Sequence, residues 1–251
     1  MAKLIIGNWK MNKGPAETKA FIKELIKALG KPKNVAVCPP SISLPAAAEA
    51  LKGSTIMLCA QNMHHEESGA FTGEVSPLML KELGVTHVLL GHSERREFFL
   101  ENDELINLKV KSALSHGLTP VLCIGELLEQ KKKGKTKEVL RQQLRIGLGG
   151  IPDLHKVILA YEPVWAISRG DPNHPAASAE DAQGAHAFIR SELASLYGAK
   201  AAKEACLIYG GSVKPENVME LMAQKDIDGG LPGNASLDAK KFALIVQGTT
   251  T

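Results

Sequence analysis

Glu162 closes an apolar, β-branched run, Lys156-Val157-Ile158-Leu159-Ala160-Tyr161, and Pro163 follows it at once. Such a run predicts a buried strand. Proline has no N–H and a fixed φ, so the ladder stops there and a carboxylate is left at the strand's mouth. Beyond it lie an apolar tip, Val164-Trp165-Ala166-Ile167, and a turn-rich run from Ser168 to Pro175. Loops are ordinarily polar. An apolar tip beside an acid therefore has two readings. Either the acid caps a helix while Trp165 fills a gap in packing, or Glu162 is a general base beneath a closing apolar lid.

The ends of the other apolar runs help to decide. Asn8 and Lys10 follow the first, Gly91-His92-Ser93-Glu94-Arg95-Arg96 the fourth, and Cys123-Ile124-Gly125-Glu126 close the fifth. Tyr209-Gly210-Gly211-Ser212 lie at the seventh, and Gly229 to Leu237 at the eighth. Gly210-Gly211-Ser212 and Gly233-Asn234 are small turns before helical patterns, and their backbone N–H groups suit a phosphate. Either turn alone reads equally as a plain connection; the pair points to a phosphate site. His92 begins a short helical segment, whose positive end opposes an imidazolium, so a neutral ring could donate an N–H to a carbonyl. Lys10 offers a cation to a developing oxyanion. Glu94 either pairs with Lys10 or caps the His92 helix, a supporting role. Base, neutral electrophile, cation and phosphate grip suit proton abstraction next to a carbonyl in a small sugar phosphate. His64-His65-Glu66-Glu67 reads as surface charge, since adjacent loop residues do not converge on a metal and no H-E-x-x-H spacing occurs. Cys123 is expected to pack beside the Glu162 strand, and His155, His174 and His186 have no partner pattern.

These residues must be gathered by a fold. Short β-branched runs alternate with longer helical patterns. Strands are predicted at Lys3–Gly7, Asn34–Cys38, Ile56–Ala60, Thr86–Gly91, Thr119–Ile124, Lys156–Tyr161, Cys206–Tyr209 and Asp226–Gly229. Helices are predicted at Pro15–Leu29, Ser41–Lys52, Pro77–Leu83, Ser93–Phe99, Asp103–His116, Thr136–Leu148, Ser178–Tyr197, Pro215–Ala223 and Leu237–Gln247, the last with Ser236 as its N-cap. Strands alternating with helices imply parallel pairing and right-handed crossovers. Eight such units in a chain of 251 residues fit one (β/α)8 barrel domain over residues 1–251, whose strand C-termini open on a single face. A doubly wound sheet is the alternative, but the first strand leads into Gly7-Asn8-Trp9-Lys10 with no G-x-G-x-x-G.

Composition agrees. Hydrophobic residues make up 44% and charged residues 23%, an ordinary globular balance. A net charge of +3 is too small to argue for nucleic acid. Lys131–Lys137 and Lys31–Lys33 read as solvated surface. Cys38, Cys59, Cys123 and Cys206 carry no C-x-x-C spacing and read as reduced core thiols of an intracellular protein. The apolar run in MAKLIIGNWK is too short for a signal peptide and no stretch is long enough to span a membrane, so cytoplasm is the expectation.

Taken together, AYEPVWAI at 160–167, GHSERR at 91–96, GNWKMN at 7–12, CIGE at 123–126 and YGGSV at 209–213 resemble the triosephosphate isomerase family, over essentially the whole chain. The resemblance implies the TIM barrel fold and interconversion of dihydroxyacetone phosphate and D-glyceraldehyde 3-phosphate without a cofactor. It matches Glu162 to the family's base and His92 to its electrophile; this family is itself the standard worked case of a carboxylate acting beside a neutral histidine. Asn8 and Lys10 match substrate-binding residues. Ser168, Ser212, Gly233 and Asn234 match phosphate-binding positions. The segment Gln61–Val75, with Phe71-Thr72-Gly73, resembles the loop that docks into a second subunit, with Met11 and Asn12 near the receiving pocket, so a homodimer is implied. The chain departs from the family pattern twice. Ile167-Ser168-Arg169-Gly170 and an added Asp171-Pro172-Asn173-His174-Pro175 replace the usual lid, and Pro232-Gly233-Asn234 replaces Val-Gly-Gly. A different sugar-phosphate barrel enzyme or a non-catalytic barrel scaffold remain as other readings, against which the joint presence of Lys10, His92 and Glu162 argues.

Overall fold

The eight apolar runs pair side by side and close on themselves. The computed structural model describes residues 3–167 and 176–249. In chain order its strands are β1 (Leu4–Asn8), β2 (Val35–Cys38), β3 (Met57–Ala60), β4 (His87–Leu90), β5 (Thr119–Ile124), β6 (Ile158–Tyr161), β7 (Cys206–Tyr209) and β8 (Gly229–Gly230). All neighbours are parallel, and β8 pairs with β1 to complete a closed barrel. The doubly wound alternative is thereby excluded.

Period-2 alternation sorts the strand residues into two apolar layers. Ile6, Cys38, Cys59, Leu89, Cys123 and Ala160 are among those filling the barrel. Ile5, Val37, Leu58, Val88, Leu122 and Leu159 face the other way and pack under the helices. The helices are α1 (Pro15–Leu29), α2 (Leu44–Ala50), α3 (Pro77–Glu82), α4 (Ser93–Phe98), α5 (Asp103–Ser115), α6 (Leu128–Lys132), α7 (Thr136–Gly147), α8 (Ala179–Tyr197), α9 (Ala199–Glu204), α10 (Val218–Met222) and α11 (Ala239–Gln247). Phe21, Ile22 and Leu25 form the buried stripe of α1, and Phe21 meets the buried Trp9 edge-on with ring centroids 4.8 Å apart. Trp9 is a packing anchor.

Several elements differ from expectation, each for a local reason. The last strand is Gly229–Gly230, not Asp226–Gly229. A Cβ on Gly229 would lie 1.9 Å from the Leu4 carbonyl oxygen, so the barrel closes only where the chain has no side chain, and no β-branched signal marks the place. The segment expected as one helix at Ser41–Lys52 starts with a 3-10 turn, Ser41–Ser43. Pro215–Ala223 narrows to α10 after turns at residues 215–217. Helices α6 and α9 were not anticipated; each is short, at five and six residues, and so carries little periodicity. Ser236 is not the cap of the last helix. It sits in a 3-10 turn, Asn234–Leu237, and its hydroxyl donates to the Gly233 carbonyl at 2.7 Å. Asp238 is the cap, its Oδ1 accepting the Lys241 N–H at 2.8 Å.

Asp238→Ala should therefore lower the free energy of unfolding by about 1 kcal/mol, the usual worth of an N-cap carboxylate. Urea unfolding of the purified chain reads this directly; an unchanged midpoint would return the capping role to another residue.

Candidate active site

The C-terminal ends of the strands open onto a cavity of about 1060 Å³ whose walls include Asn8, Lys10, His92, Ser212, Gly233 and Asn234. Six residues singled out from distant parts of the chain thus share one mouth. Ser168 lies outside the described residues, as do Arg169 and the added segment 171–175.

Glu162 does not itself line this cavity; it is buried behind two residues that do, His92 and Gly210. Its position is fixed by what its neighbours lack. A Cβ on Gly210 would come within 2.7 Å of the Glu162 Cγ, and one on Gly125 within 1.7 Å of the Glu162 carbonyl oxygen. Both glycines are needed for β5, β6 and β7 to approach around this carboxylate. The Glu162 N–H donates to the Ile124 carbonyl at 2.7 Å, one step past the β5–β6 ladder. One carboxylate oxygen, Oε2, accepts the Ser93 N–H at 2.9 Å. The other, Oε1, lies 3.2 Å from His92 Nε2, but the contact is not aligned as a hydrogen bond and Oε1 is left without a donor. The carboxylate is anchored through one oxygen, while the other is buried without a donor. Ser93 was passed over in the sequence because only its backbone acts.

His92 is the N-cap of α4 rather than its first residue, and its Nδ1 accepts the Glu94 N–H at 3.2 Å. A nitrogen that accepts an amide proton carries none of its own, so the ring is neutral with its proton on Nε2, the atom facing Glu162. The loop is held by Arg96, which donates to the Gly91 carbonyl at 2.8 Å and the Cys123 carbonyl at 3.1 Å, and pairs with Asp103 at 2.5 Å.

Of the two roles considered for Glu94, its carboxylate takes the first, pairing with Lys10 Nζ at 2.6 Å. The helix end is capped by His92 instead. Lys10 has φ of 52°, a left-handed geometry that costs a residue with a Cβ about 1–2 kcal/mol. Two contacts hold it there. Asn8 Oδ1 accepts the Lys10 N–H at 3.1 Å, and Gln61 Nε2 donates to the Lys10 carbonyl at 2.8 Å. Asn8 thus fixes Lys10 as well as lining the cavity, a role no spacing rule would reveal.

At the phosphate-like end, Pro232 serves through its carbonyl, which accepts the Asn8 N–H at 2.9 Å, so its missing N–H costs this contact nothing. Asn234 opens a 3-10 turn and is not among the residues with positive φ; the left-handed geometry considered for it is not used.

Behind the mouth, Glu126 is buried and accepts Tyr161 Oη at 3.1–3.2 Å and Trp165 Nε1 at 2.8 Å. Lys131 Nζ stands 3.3 Å from the Trp165 ring centroid. Trp165, in the 3-10 turn Val164–Ala166, is thereby tied to the body of the barrel. Glu126 stood in the sequence directly after β5, yet nothing there distinguished it from a surface acid. Cys123 is buried on β5 opposite Ala160 of β6, as expected; burial first, then the Glu162 carboxylate, pushes its thiol well above the ordinary range. Among the described residues no group of three or more His, Cys, Asp or Glu could hold a metal ion, and no helix is long and apolar enough to cross a membrane.

With this geometry in place, comparison with known proteins is informative. The profile of the triosephosphate isomerase family matches residues 3–249. The triosephosphate isomerase of Carboxydothermus hydrogenoformans is 51% identical over 249 residues, covering 98% of both chains. That of Caldanaerobacter subterraneus subsp. tengcongensis is 50% identical over 247 residues, covering 97% of this chain and 98% of its own. The crystal structure of triosephosphate isomerase from Bartonella henselae superposes with a TM-score of 0.90 at 36% identity, covering 100% of each chain.

The tight seat of the Glu162 side chain gives a direct test. Gly210→Ala should destabilise the fold by about 1–3 kcal/mol through overpacking, measured by chemical denaturation; a neutral result would show that the carboxylate has room to spare.

Proposed function

The chain belongs to the triosephosphate isomerase family and interconverts dihydroxyacetone phosphate and D-glyceraldehyde 3-phosphate, a step of glycolysis; from that premise we propose how its residues divide the work. Glu162 Oε1, the oxygen without a donor, takes a proton from the carbon next to the substrate carbonyl. The Nε2–H of His92 polarises the carbonyl oxygen as negative charge grows there, and Lys10 Nζ, on the same cavity wall, stabilises that charge. The electron pair of the broken C–H bond forms the enediolate double bond. His92 moves a proton between the two enediolate oxygens, and Glu162 returns its proton to the neighbouring carbon, so no atom is gained or lost. Because Oε1 is buried in this form, the Glu162 side chain must turn toward the cavity when substrate enters.

The phosphate is assigned to Ser212, Gly233 and Asn234, with Ser168 as a further contact by resemblance alone. Gly233 keeps the wall low at this end: a Cβ there would stand 3.5 Å from the Lys10 Cε. Residues 1–251 are taken as one domain, acting in the cytoplasm and needing no cofactor. The observation that carries the reading is the buried Glu162 carboxylate, held through one oxygen by the Ser93 N–H, with the other 3.2 Å from His92 Nε2.

The same reading includes a homodimer. Met11 (94% exposed) and Phe98 line the cavity, the exposed Phe99 and Leu100 (83%) follow Phe98 in the chain, and Phe71 stands out on the loop at residues 61–75. So much apolar surface at one rim marks an interaction site, and a second copy would cover it with its own Phe71 loop.

Two measurements test these assignments. Coupled-assay turnover of glyceraldehyde 3-phosphate should be fast for the chain and fall about 10²-fold or more in Glu162→Asp, where the carboxylate is withdrawn by one methylene. Equal rates would remove Glu162 from the chemistry. Sedimentation equilibrium near neutral pH should give the mass of two 26.9 kDa chains; a single-chain mass at micromolar concentration would refute the dimer.

A further inference from the structure

We infer that the loop at residues 61–75 is a pH-gated docking element, which keeps its docking shape only while His64 is neutral and loosens in mild acid, separating the two copies. The inference rests on the dimer reading above. Its basis is how the loop is built. The His64 ring is stacked between His65 (centroids 4.4 Å apart, planes at 25°) and Phe71 (4.0 Å, 30°). His64 Nδ1 accepts the Glu66 N–H at 3.0 Å, and the His64 N–H donates to the Val75 carbonyl at 2.8 Å. Phe71, the loop's exposed aromatic, is thus positioned by an imidazole that serves as an acceptor. A Cβ on Gly69 would lie 2.6 Å from the Phe71 ring, so the stack also depends on that glycine.

Protonating His64 undoes this arrangement twice. Nδ1 gains a proton and turns from acceptor to donor toward the Glu66 amide, and a charge appears between two rings. The charged groups facing His64 act in both directions. Within the loop, Glu74 and Glu66 favour the cation and His65 opposes it; from α5, the ammonium of Lys109 also opposes it. Lys109 cannot swing clear, because its Nζ is tied to Asn62 at 3.0 Å and to Glu101 at 2.6 Å. The balance, led by partial burial, lowers the His64 pKa from its ordinary 6.5.

The sign follows by linkage. The loosened loop, with His64 at its ordinary 6.5, takes up a proton before the ordered one does, so the stabilisation is complete above that pH and is lost as pH falls from there through the lowered pKa of the ordered loop. One contact works the other way. His116, which caps the C-terminal end of α5, pairs with Glu67 at 2.9 Å and its pKa is raised, chiefly by the Ser112 carbonyl. That bond strengthens in acid, but Glu67 is 64% exposed, so solvent screening leaves it the weaker influence.

The test compares the chain with His64→Asn. Asparagine can accept the same i+2 amide through Oδ1 and does not titrate. Dimer dissociation is measured by sedimentation velocity at pH 7.5 and 5.5, alongside hydrogen exchange of the Glu66 amide corrected for its intrinsic pH dependence. The parent dimer's dissociation constant should rise across this range, with reduced Glu66 protection, while His64→Asn stays flat in both. A parent whose dissociation does not change with pH, or a variant that weakens equally, overturns the proposal. A chain that is monomeric at every pH defeats the dimer reading and the docking role with it; Glu66 protection then decides the loop transition alone, and equal protection at both pH values overturns that as well.

Discussion

A buried carboxylate at the mouth of a closed barrel is the constraint around which this molecule is arranged. Removing a charge from water is costly unless hydrogen bonds replace the lost hydration, and here the Ser93 N–H supplies a direct one. Bringing that amide and the His92 ring to Glu162 requires β4 and β6 to end at compatible heights. It also requires Gly125 and Gly210 to leave space that any side chain would fill. The chemistry and the packing are therefore one problem: the residues that make room for Glu162 are the residues that let the strands converge.

The Oε1 atom of Glu162 has no aligned donor, one of eight buried side-chain atoms so placed among the described residues. Around it the supports are unusually complete. Asn8 and Gln61 clamp the left-handed backbone of Lys10, Glu94 holds its ammonium, and Arg96 ties the ends of β4 and β5. The Lys10 backbone and the ends of β4 and β5 are thus fixed around the cavity mouth.

The same economy reaches the loop at residues 61–75. Gln61, at its base, donates to the carbonyls of Lys10 and Cys38. Asn62 is held by Lys109, which is paired with Glu101, itself bound to Arg95 of α4. A continuous set of contacts thus runs from the helix that His92 caps to the loop that carries Phe71. The Phe71 loop and the cavity mouth are supported by shared residues rather than built separately.

The sequence by itself determined the order and number of the strands and the order of nine of the eleven helices, because alternating β-branched runs and amphipathic patterns are local and survive without knowledge of neighbours. Pro15–Leu29, Thr119–Ile124 and Cys206–Tyr209 were legible to the residue. It also determined which residue types stood at the strand ends, and so brought Asn8, Lys10, His92, Glu162, Ser212, Gly233 and Asn234 together as candidates. Only the tertiary structure decided what depends on approach between distant segments. That includes the closure of the barrel at Gly229–Gly230, where absence of a side chain is the requirement and leaves no pattern. It includes the choice of Asp238 over Ser236 as a cap, which turns on where a 3-10 turn ends. It includes the tautomer of His92, set by the Glu94 amide, and the unpaired oxygen of Glu162. Hydrogen-bond direction and the exclusion of a Cβ are properties of pairs of residues in space, and a sequence lists residues one at a time.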